Sequence, residues 1–367
     1  MRPTFSIAVT TYDRHQSLIE TLVSITNQTF SDFEILVGND NPSREVTATT
    51  LAMDDPRIRF INRPQNLGEF ENMNSLLRES RGRYFTWIAD DDLYAPDFLQ
   101  SVYDALHKYE FPACVFTSFQ VMQVTELVNS DKTFSREARL YSGREFLRRY
   151  LAREVETIGT MGVYEANYLK SLNGLGDVSA DGKGYYCEYL QILRAAGQER
   201  VCYIDAPLMC FRVHEASWSA SVNSDMEQYK RASKNLVAGA IEVFRTPALI
   251  EDFAQNLTNM LRWFLGEFVA FHRRQGGVPF RALLRFFVSA RTYIESLRGS
   301  DLYWRSVRCL LSAEVWLFSA VCKEKFLASA PGWMIDFAYA VRRVLFDRPR
   351  PQRLPDKTGE TLESRLG

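Results

Sequence analysis

The first 150 residues alternate between short apolar runs and longer amphipathic segments, and this alternation constrains the fold more than any other feature. The apolar runs predict strands near residues 5–10, 34–39, 58–62, 84–89 and 113–119. The segments that follow them predict helices near residues 15–27, 44–53, 69–79, 96–109 and 143–152. Strands that alternate with helices form a mainly parallel sheet with helices on both faces. The predicted fold class is therefore α/β.

Three consecutive aspartates, Asp90, Asp91 and Asp92, follow the fourth predicted strand. In parallel sheets, ligands gather at the carboxyl ends of the strands, and Thr10 and Asp40 lie at two other such ends. Adjacent carboxylates repel one another unless a cation lies among them. Oxygen ligands with open coordination positions suit Mg²⁺ or Mn²⁺ that also holds a diphosphate. The alternative is a solvated acidic turn, because a short acidic motif alone is weak evidence.

Four segments together resemble a known family. They are the first strand and its turn (5–14), the second strand and its acid (28–43), a segment with Asn and Gly (66–74), and the strand with the aspartate triplet (82–92). In this order and spacing they resemble the inverting glycosyltransferases of family two, of bacterial surface-polysaccharide type, over about residues 4–215. The resemblance implies a GT-A fold, Rossmann-like with helices on both faces, and a nucleotide-sugar donor. It places the D-x-D motif of that family at the triplet.

The resemblance also implies roles for individual residues. The donor would be bound by Thr10, Tyr12, Arg14, Asp40, Asn66, Asp90, Asp91 and Arg212. A cofactor of Mn²⁺ or Mg²⁺ would be bound by Asp90, Asp92 and His214. A longer D-x-D-D form of the motif would place its first acid at Ala89, where this chain departs from the family. Structural alternatives remain open: Asp40 as a turn residue, and Arg212 in a salt bridge to Asp205 or Glu215.

Inversion needs a general base that deprotonates the attacking hydroxyl. By resemblance, Glu188, six residues before Arg194, takes the place of that catalytic acid. The chain departs from the family by having Cys187 where an acid is common, and Glu in place of Asp. Asp181 is the rival candidate, and a surface salt bridge is the remaining interpretation of Glu188. Glu is chemically suitable, since its reference pKa of ~4.3 is near that of Asp.

Charge divides the chain into two parts. Residues 1–261 carry 26 Lys and Arg against 35 Asp and Glu, whereas residues 262–353 carry 16 against 7. The basic part contains amphipathic helical stripes rich in aromatic residues between 257 and 346. A helical bundle, either within one chain or in a homo-oligomer, explains the stripes. A peripheral membrane contact explains the charge as well. Nucleic-acid binding is not predicted, because the arginines are dispersed and no recognition motif accompanies them.

These features predict three regions and one activity. The regions are a GT-A catalytic domain over 1–225, a helical basic and aromatic domain over 226–348, and a disordered tail over 349–367. The predicted activity is transfer of a sugar, from a UDP- or dTDP-sugar by preference, to a glycan or lipid-linked glycan. The alternatives are a sugar nucleotidyltransferase, although the first turn has no glycine, and an inactive scaffold with the same fold.

The predicted location is the cytoplasm, peripherally on the inner face of the plasma membrane. The chain begins directly in a strand without a signal-peptide pattern. No stretch reaches the ~18 apolar residues of a membrane-spanning helix. The six cysteines contain no C-x-x-C pair, which favours reduced thiols over a zinc site or a disulfide framework.

Overall fold

The computed structural model describes residues 2–123, 136–178, 186–213, 226–274, 298 and 300–309. Its strands are β1 (Phe5–Thr11), β2 (Phe33–Asn39), β3 (Ile58–Asn62), β4 (Tyr84–Ala89), β5 (Leu93–Tyr94), β6 (Cys114–Gln123), β7 (Ala138–Tyr141), β8 (Val163–Glu165) and β9 (Val201–Val213). Its helices are α1 (His15–Thr26), α2 (Ala48–Leu51), α3 (Glu69–Glu79), α4 (Phe98–Lys108), α5 (Gly143–Leu151), α6 (Ala166–Ser171), α7 (Cys187–Ala196), α8 (Met226–Phe244) and α9 (Phe253–Arg274). A 3₁₀ turn spans Ile250–Asp252, and residues 301–309 are also helical.

The strands form one mixed sheet in the order β3-β2-β1-β4-β8-β6-β9-β5, with β7 paired to β9. The block β3-β2-β1-β4 is parallel throughout, and β6 pairs with β9 in parallel. The short strand β8 lies between the two blocks and is antiparallel to both β4 and β6. The longest pairings are thus parallel, which confirms the predicted α/β class.

The register of the parallel block brings three strand ends to one edge. Thr11 of β1 lies opposite Asn39 of β2, and Thr10 lies opposite Ala89 of β4. The next residues along β2 and β4 are Asp40 and Asp90. Both acids therefore leave the sheet beside the first turn of the chain, as the pattern of strand ends predicts.

The first four predicted strands are present within one residue of their expected ends and the fifth, β6, continues four residues further, but the predicted helix over 44–53 is only the single turn α2. The loop before it is held by side chains in place of helical hydrogen bonds. The Asn39 amide donates to the carbonyl of Arg44 at 2.7 Å, and the Asn62 side chain accepts the Val46 N–H at 2.8 Å. Local side-chain hydrogen bonds of this kind compete with helix formation. Helix α2 begins only at Ala48, and the hydroxyl of the preceding Thr47 caps it by accepting the Thr50 N–H.

The helices after the sheet pack onto α7 and α5. Helix α8 contacts α7, and α9 contacts both α8 and α5, while Trp263 of α9 lies against Tyr189 and Tyr150. Residues 1–313 form one compact unit. In the described part of the chain, no helix is long and apolar enough to span a membrane. The predicted tail over 349–367 and the stripes over 310–346 lie outside the described residues, so the domain boundaries stay predictions.

A polar clamp fixes the entry of β4 beside β1 and β2. The buried Ser6 hydroxyl donates to Glu34 at 2.6 Å and accepts the Gly82 N–H at 2.7 Å. The Arg81 N–H donates to the same Glu34 oxygen at 2.6 Å. A Cβ on Gly82 would lie 2.5 Å from the Ser6 backbone nitrogen, so only glycine fits there. This close approach sets the position of the strand that ends at the aspartate triplet.

We expect Gly82→Ala to lower the free energy of unfolding by about 1–3 kcal/mol, because the added methyl group must displace backbone and not a flexible side chain. Gly197→Ala is the matched control, since its Cβ would meet one carbonyl oxygen at 3.1 Å and otherwise only atoms at 3.9 Å or more. Urea denaturation of both variants measures the difference. Equal stability of the two variants would contradict the clamp.

Candidate active site

Asp90 is fully buried where β4 ends, and its nearest charged neighbour comes from the first turn of the chain. The guanidinium Nη2 of Arg14 lies 2.7 Å from Asp90 Oδ1. The Thr11 hydroxyl and the Tyr12 N–H also approach the carboxylate. Burial nevertheless outweighs these contacts and raises the pKa of Asp90 to about 6. Among the described residues, neither carboxylate oxygen has a hydrogen-bond partner of good geometry.

Asp91 shares the same cation. Arg14 Nη1 donates to Asp91 Oδ2 at 2.6 Å, so one guanidinium bridges two consecutive carboxylates. Consecutive residues on an extended strand point to opposite sides. These two can converge because β4 ends at Ala89, and the chain turns at the triplet.

Asp92 faces the other way, toward the last long strand. Its carboxylate accepts the backbone N–H of Arg212 in β9 at 2.9 Å, and its carbonyl accepts the Thr21 hydroxyl of α1 at 2.8 Å. Burial raises the pKa of Asp92 to about 8, and the neighbouring Asp91 adds to this effect. Asp92 therefore ties the triplet to α1 and β9, whereas Asp90 and Asp91 face Arg14.

Arg212 is buried, and its side chain is engaged by the protein itself. Its Nε donates to the Asp91 carbonyl, and its Nη1 forms an ion pair with Glu20 of α1. The salt bridge is therefore made to Glu20, and not to Asp205 as the structural alternative has it, while Glu215 lies outside the described residues. Within the described chain, Nη2 of Arg212 is buried without a hydrogen-bond partner.

Glu188 is the second residue of α7, which begins after Tyr186, a residue whose φ of 59° is left-handed. A Cβ on Gly159 would lie 2.0 Å from the Glu188 carbonyl oxygen, so this glycine lets α7 pack closely. Arg194, at the other end of α7, donates to the Gly174 carbonyl at 3.0 Å. These contacts hold the helix start in place, and burial raises the pKa of Glu188. The resemblance identifies Glu188 by its position six residues before Arg194. In the structure, Arg194 itself has a structural contact.

Glu69, which the sequence analysis does not single out, is a fourth acid of this group. It begins α3 directly after Gly68, which has a φ of 81°. Its carboxyl group keeps access to solvent but lies deep among protein atoms and the charges of Arg14, Asp90, Asp91 and Glu188. Burial raises the pKa of Glu69 to about 7, with Arg14 opposing and the three acids adding to the shift. An acid directly after a left-handed glycine at a helix start is the sequence signal that points to it.

Asp40 and Asn66 act together on the loop that leads into α3. The Asp40 carboxylate accepts the N–H groups of Leu67 and Gly68 at 2.7 and 2.8 Å. Asn66 Oδ1 also accepts the Gly68 N–H at 2.8 Å. The described side-chain contacts of Asp40 are thus to a loop distant in the chain, and not to its own turn as the structural alternative has it, and they fix the position of Glu69. Donor contacts of Asp40 and Asn66 stay predictions.

The remaining predicted residues divide between rim, sheet and undescribed segments. Thr10 is buried in β1 beside the acidic edge, while Tyr12 is 52% exposed at the rim. Asp181 and His214 lie outside the described residues. The structure thus brings together Arg14, Asp90 and Asp91, and the charges of these residues and of Glu188 act on Glu69; the region between these five side chains is called the recess below.

A divalent cation fits the Asp90 and Asp91 pair. Both carboxylates already direct an oxygen at one cationic group, and the buried Asp90 oxygens are without well-formed hydrogen bonds in the described part of the chain. Mg²⁺ and Mn²⁺ take one or two carboxylates and fill the other positions with water and substrate phosphates. No cluster of three or more His, Cys, Asp or Glu side chains with metal-holding geometry occurs among the described residues. A two-carboxylate site is consistent with this.

Comparison with protein families gives a match over residues 6–171 to the model of glycosyl transferase family 2. One curated relative, the GalNAc(5)-diNAcBac-PP-undecaprenol beta-1,3-glucosyltransferase of Campylobacter jejuni, is 37% identical over 93 residues, or 24% of this chain and 30% of the relative. The putative colanic acid biosynthesis glycosyl transferase WcaA of Escherichia coli is 29% identical over 156 residues, 40% of this chain and 53% of WcaA. The chain thus spans between about a third and a half of these relatives.

Longer alignments agree with this match. The uncharacterized glycosyltransferase YwdF of Bacillus subtilis is 25% identical over 252 residues, 67% of this chain and 89% of YwdF. Among solved structures, residues 1–349 of S. aureus TarS in complex with UDP-GlcNAc superpose on this chain with a TM-score of 0.59 at 14% identity. The superposition covers 85% of this chain and 90% of that TarS fragment. This likeness shows the GT-A fold. Residues 6–171 of the chain therefore match a glycosyl transferase family 2 domain.

Proposed function

We propose that this protein is a metal-dependent inverting glycosyltransferase that moves a sugar from a nucleotide-sugar donor to a glycan or lipid-linked glycan acceptor. The observation that carries the proposal is the convergence of Asp90 and Asp91 on one cation, in a recess that also contains Glu188. The family match and the curated names of the relatives support the reaction class. One relative is named for an undecaprenol-linked acceptor and another for colanic acid synthesis, which supports the acceptor class.

The proposed site separates the leaving group from the base. A divalent cation bound by Asp90 and Asp91 would supply Lewis-acid stabilisation of the negative charge on the departing diphosphate. Glu188 takes the proton of the acceptor hydroxyl as its oxygen bonds to the anomeric carbon. The bond from that carbon to the phosphate oxygen breaks on the opposite face, and the nucleoside diphosphate leaves. The configuration at the anomeric carbon is therefore inverted.

Glu188 suits the base because it combines a raised pKa with a fixed position. A base works best when its pKa lies near the working pH, and burial moves that of Glu188 in this direction. The close packing of Gly159 on the start of α7 restricts movement of the carboxylate. Asp181 is the rival base. The donor is proposed to be a UDP- or dTDP-sugar, as TarS was solved with UDP-GlcNAc and with UDP.

The second proposed element is the region after residue 225. The helices α8 and α9 lie directly behind α7, so this region is suited to contact the acceptor next to Glu188. We also propose that it places the enzyme at the inner face of the plasma membrane, where a lipid-linked acceptor would be presented. Its net charge of +9 over residues 262–353 supports this location.

We expect Asp90→Asn and Asp91→Asn to abolish binding of UDP in the presence of Mn²⁺ without lowering the stability of the metal-free protein. The reason is that each change removes a metal-binding charge but replaces a carboxylate that repels its neighbours. Isothermal titration calorimetry measures the binding, and Asp54→Asn, at an exposed position far from the triplet in sequence, is the control. Affinity like that of the wild type in both triplet variants would refute the metal site. Asp92→Asn tests the same role for the third acid.

Glu188→Gln should retain donor affinity and lower kcat by about 10²–10⁴-fold, the usual contribution of a positioned base. The acidic limb of the wild-type pH–rate profile should lie above pH 4.5, since burial raises the pKa of Glu188 above that value. The rate of UDP release in steady-state assays gives kcat and its dependence on pH. Glu199→Gln, at an exposed position just after α7, is the control. Normal turnover of Glu188→Gln together with an inactive Asp181→Asn would transfer the role to Asp181.

The protein should co-sediment with anionic vesicles at low salt and be released at high salt, because each basic residue near an anionic surface contributes about 1 kcal/mol. Neutral vesicles of the same size are the control for apolar binding through the aromatic residues. Absence of binding to anionic vesicles at low salt would leave a helical region that contacts the catalytic part or a second copy of the chain.

A further inference from the structure

We propose that Arg14 is an exchangeable internal cation: it occupies the Asp90–Asp91 pair until a divalent metal ion binds there, and then moves to the diphosphate of the donor. Metal and donor would thereby bind cooperatively. This inference rests on the proposed function, and it adds a residue that controls the order of ligand binding. It concerns a divalent cation of the Mg²⁺ or Mn²⁺ type and a nucleoside diphosphate.

Arg14 is held at the two aspartates by electrostatic attraction more than by well-formed hydrogen bonds. Its two Nη atoms divide between two carboxylates, at 2.7 Å from Asp90 and 2.6 Å from Asp91. A guanidinium binds one carboxylate most strongly through two parallel hydrogen bonds, and Arg14 forms no such pair with either acid. The contact to Asp90 lacks good hydrogen-bond geometry altogether. An ion that binds both oxygens at shorter range can therefore displace it.

The side chain has a path by which it can leave. Arg14 is 31% exposed, whereas the side chain of Asp90 is fully buried and that of Asp91 is 11% exposed. The cation thus enters from the solvent side, where a donor would also arrive. Exposed Tyr12 stands on the same rim.

The backbone that carries Arg14 is fixed separately from its guanidinium. The Arg14 carbonyl accepts the Leu18 N–H at 2.9 Å, as the start of α1 requires. The preceding Asp13 has a φ of 60° and pairs with Arg44 at 2.7 Å. These contacts do not involve the Arg14 guanidinium. The guanidinium can therefore change partners through side-chain rotation alone, without loss of the turn.

The charge in the recess makes an exchange necessary. Glu69 experiences the charges of Arg14, Asp90, Asp91 and Glu188, so among the described residues there, four acids face one cation. A diphosphate brings at least two further negative charges, which a single guanidinium bound to aspartates does not balance. A divalent ion and Arg14 cannot occupy the same two carboxylate oxygens. The stable arrangement with donor bound therefore has the metal on the aspartates and Arg14 on a phosphate oxygen.

This exchange has a thermodynamic consequence. Without nucleotide, the metal must displace Arg14 into water, which weakens metal binding. With nucleotide, the displaced guanidinium gains a phosphate partner, so each ligand strengthens binding of the other by the same factor. Removal of Arg14 should therefore strengthen binding of the metal in the absence of nucleotide and weaken binding of nucleotide to the metal-loaded protein.

The experiment is a titration of the full chain with Mn²⁺, followed by electron paramagnetic resonance of the free ion, first without nucleotide and then with UDP. Without nucleotide, Arg14→Ala should bind Mn²⁺ about tenfold more tightly than the wild type, because no internal cation competes. At saturating Mn²⁺, its affinity for UDP should fall about tenfold to a hundredfold, the effect of one lost charged hydrogen bond. Arg139→Ala, which removes a half-exposed basic side chain from β7, should change neither value.

Arg14→Lys gives a second test if Arg14→Ala does not fold. An ammonium group cannot bridge both carboxylates with two separate nitrogens, so this variant should bind Mn²⁺ with an affinity between those of the wild type and Arg14→Ala. Unchanged or weaker Mn²⁺ binding in the folded Arg14 variants overturns the inference, and so does absence of Mn²⁺ binding in every protein.

Failure of this inference is distinguishable from failure of the proposed function. If no sugar transfer is found but the Mn²⁺ affinity shifts as expected, the function is wrong and the exchange stands. If transfer is found and the Mn²⁺ affinities are equal, only the exchange is wrong.

Discussion

Burial of negative charge at the carboxyl edge of the sheet is the constraint on which the rest of the site depends. Asp90 is inaccessible to solvent, and Asp91 lies directly after it. Carboxylates in such surroundings either take up a proton or bind a cation. The raised pKa of Asp90 and its ion pair with Arg14 both follow from the cost of burying this negative charge. The strand end is therefore a cation site, and the guanidinium of Arg14 occupies it.

The surrounding loops are organised by polar side chains that bind backbone groups. Asp40 holds the loop before α3, Asn39 holds the loop after β2, and Asp92 accepts the backbone N–H of Arg212. Each contact satisfies buried donors that the irregular chain would otherwise leave unpaired. The effect is to give the loops at this edge defined positions. Glu69 faces the recess because two such side chains, Asp40 and Asn66, hold the turn that precedes it.

The acids of the recess differ in what they can do. Asp92 is engaged by backbone groups on two sides, which suits an anchoring role. Glu188 and Glu69 lie at helix starts and keep access to the recess, which suits contact with a substrate. Burial raises the pKa of both, and the charge of Glu188 adds to the raised pKa of Glu69. Binding of a cation in the recess would favour the ionised form of both.

The sequence by itself determined the strands of the parallel block and the edge at which Asp40 and Asp90 emerge, because apolar periodicity and strand ends are local properties. It also indicated the family whose model residues 6–171 match, since that resemblance depends on the order and spacing of segments. It did not determine the short antiparallel strand β8 or the long β9, whose positions depend on partners distant in the chain. It overestimated the helix over 44–53, where side chains of Asn39 and Asn62 take the backbone hydrogen bonds.

Only the tertiary structure decided which charges meet. The bridge from Arg14 to the triplet joins residues 77 positions apart, and that from Arg212 to Glu20 joins residues 192 apart. No local pattern contains such pairings, because they follow from how β1, β4 and β9 are placed in the sheet. The same holds for Glu69. The sequence shows that it is an acid at a helix start, but its role follows from the charges of residues on other elements.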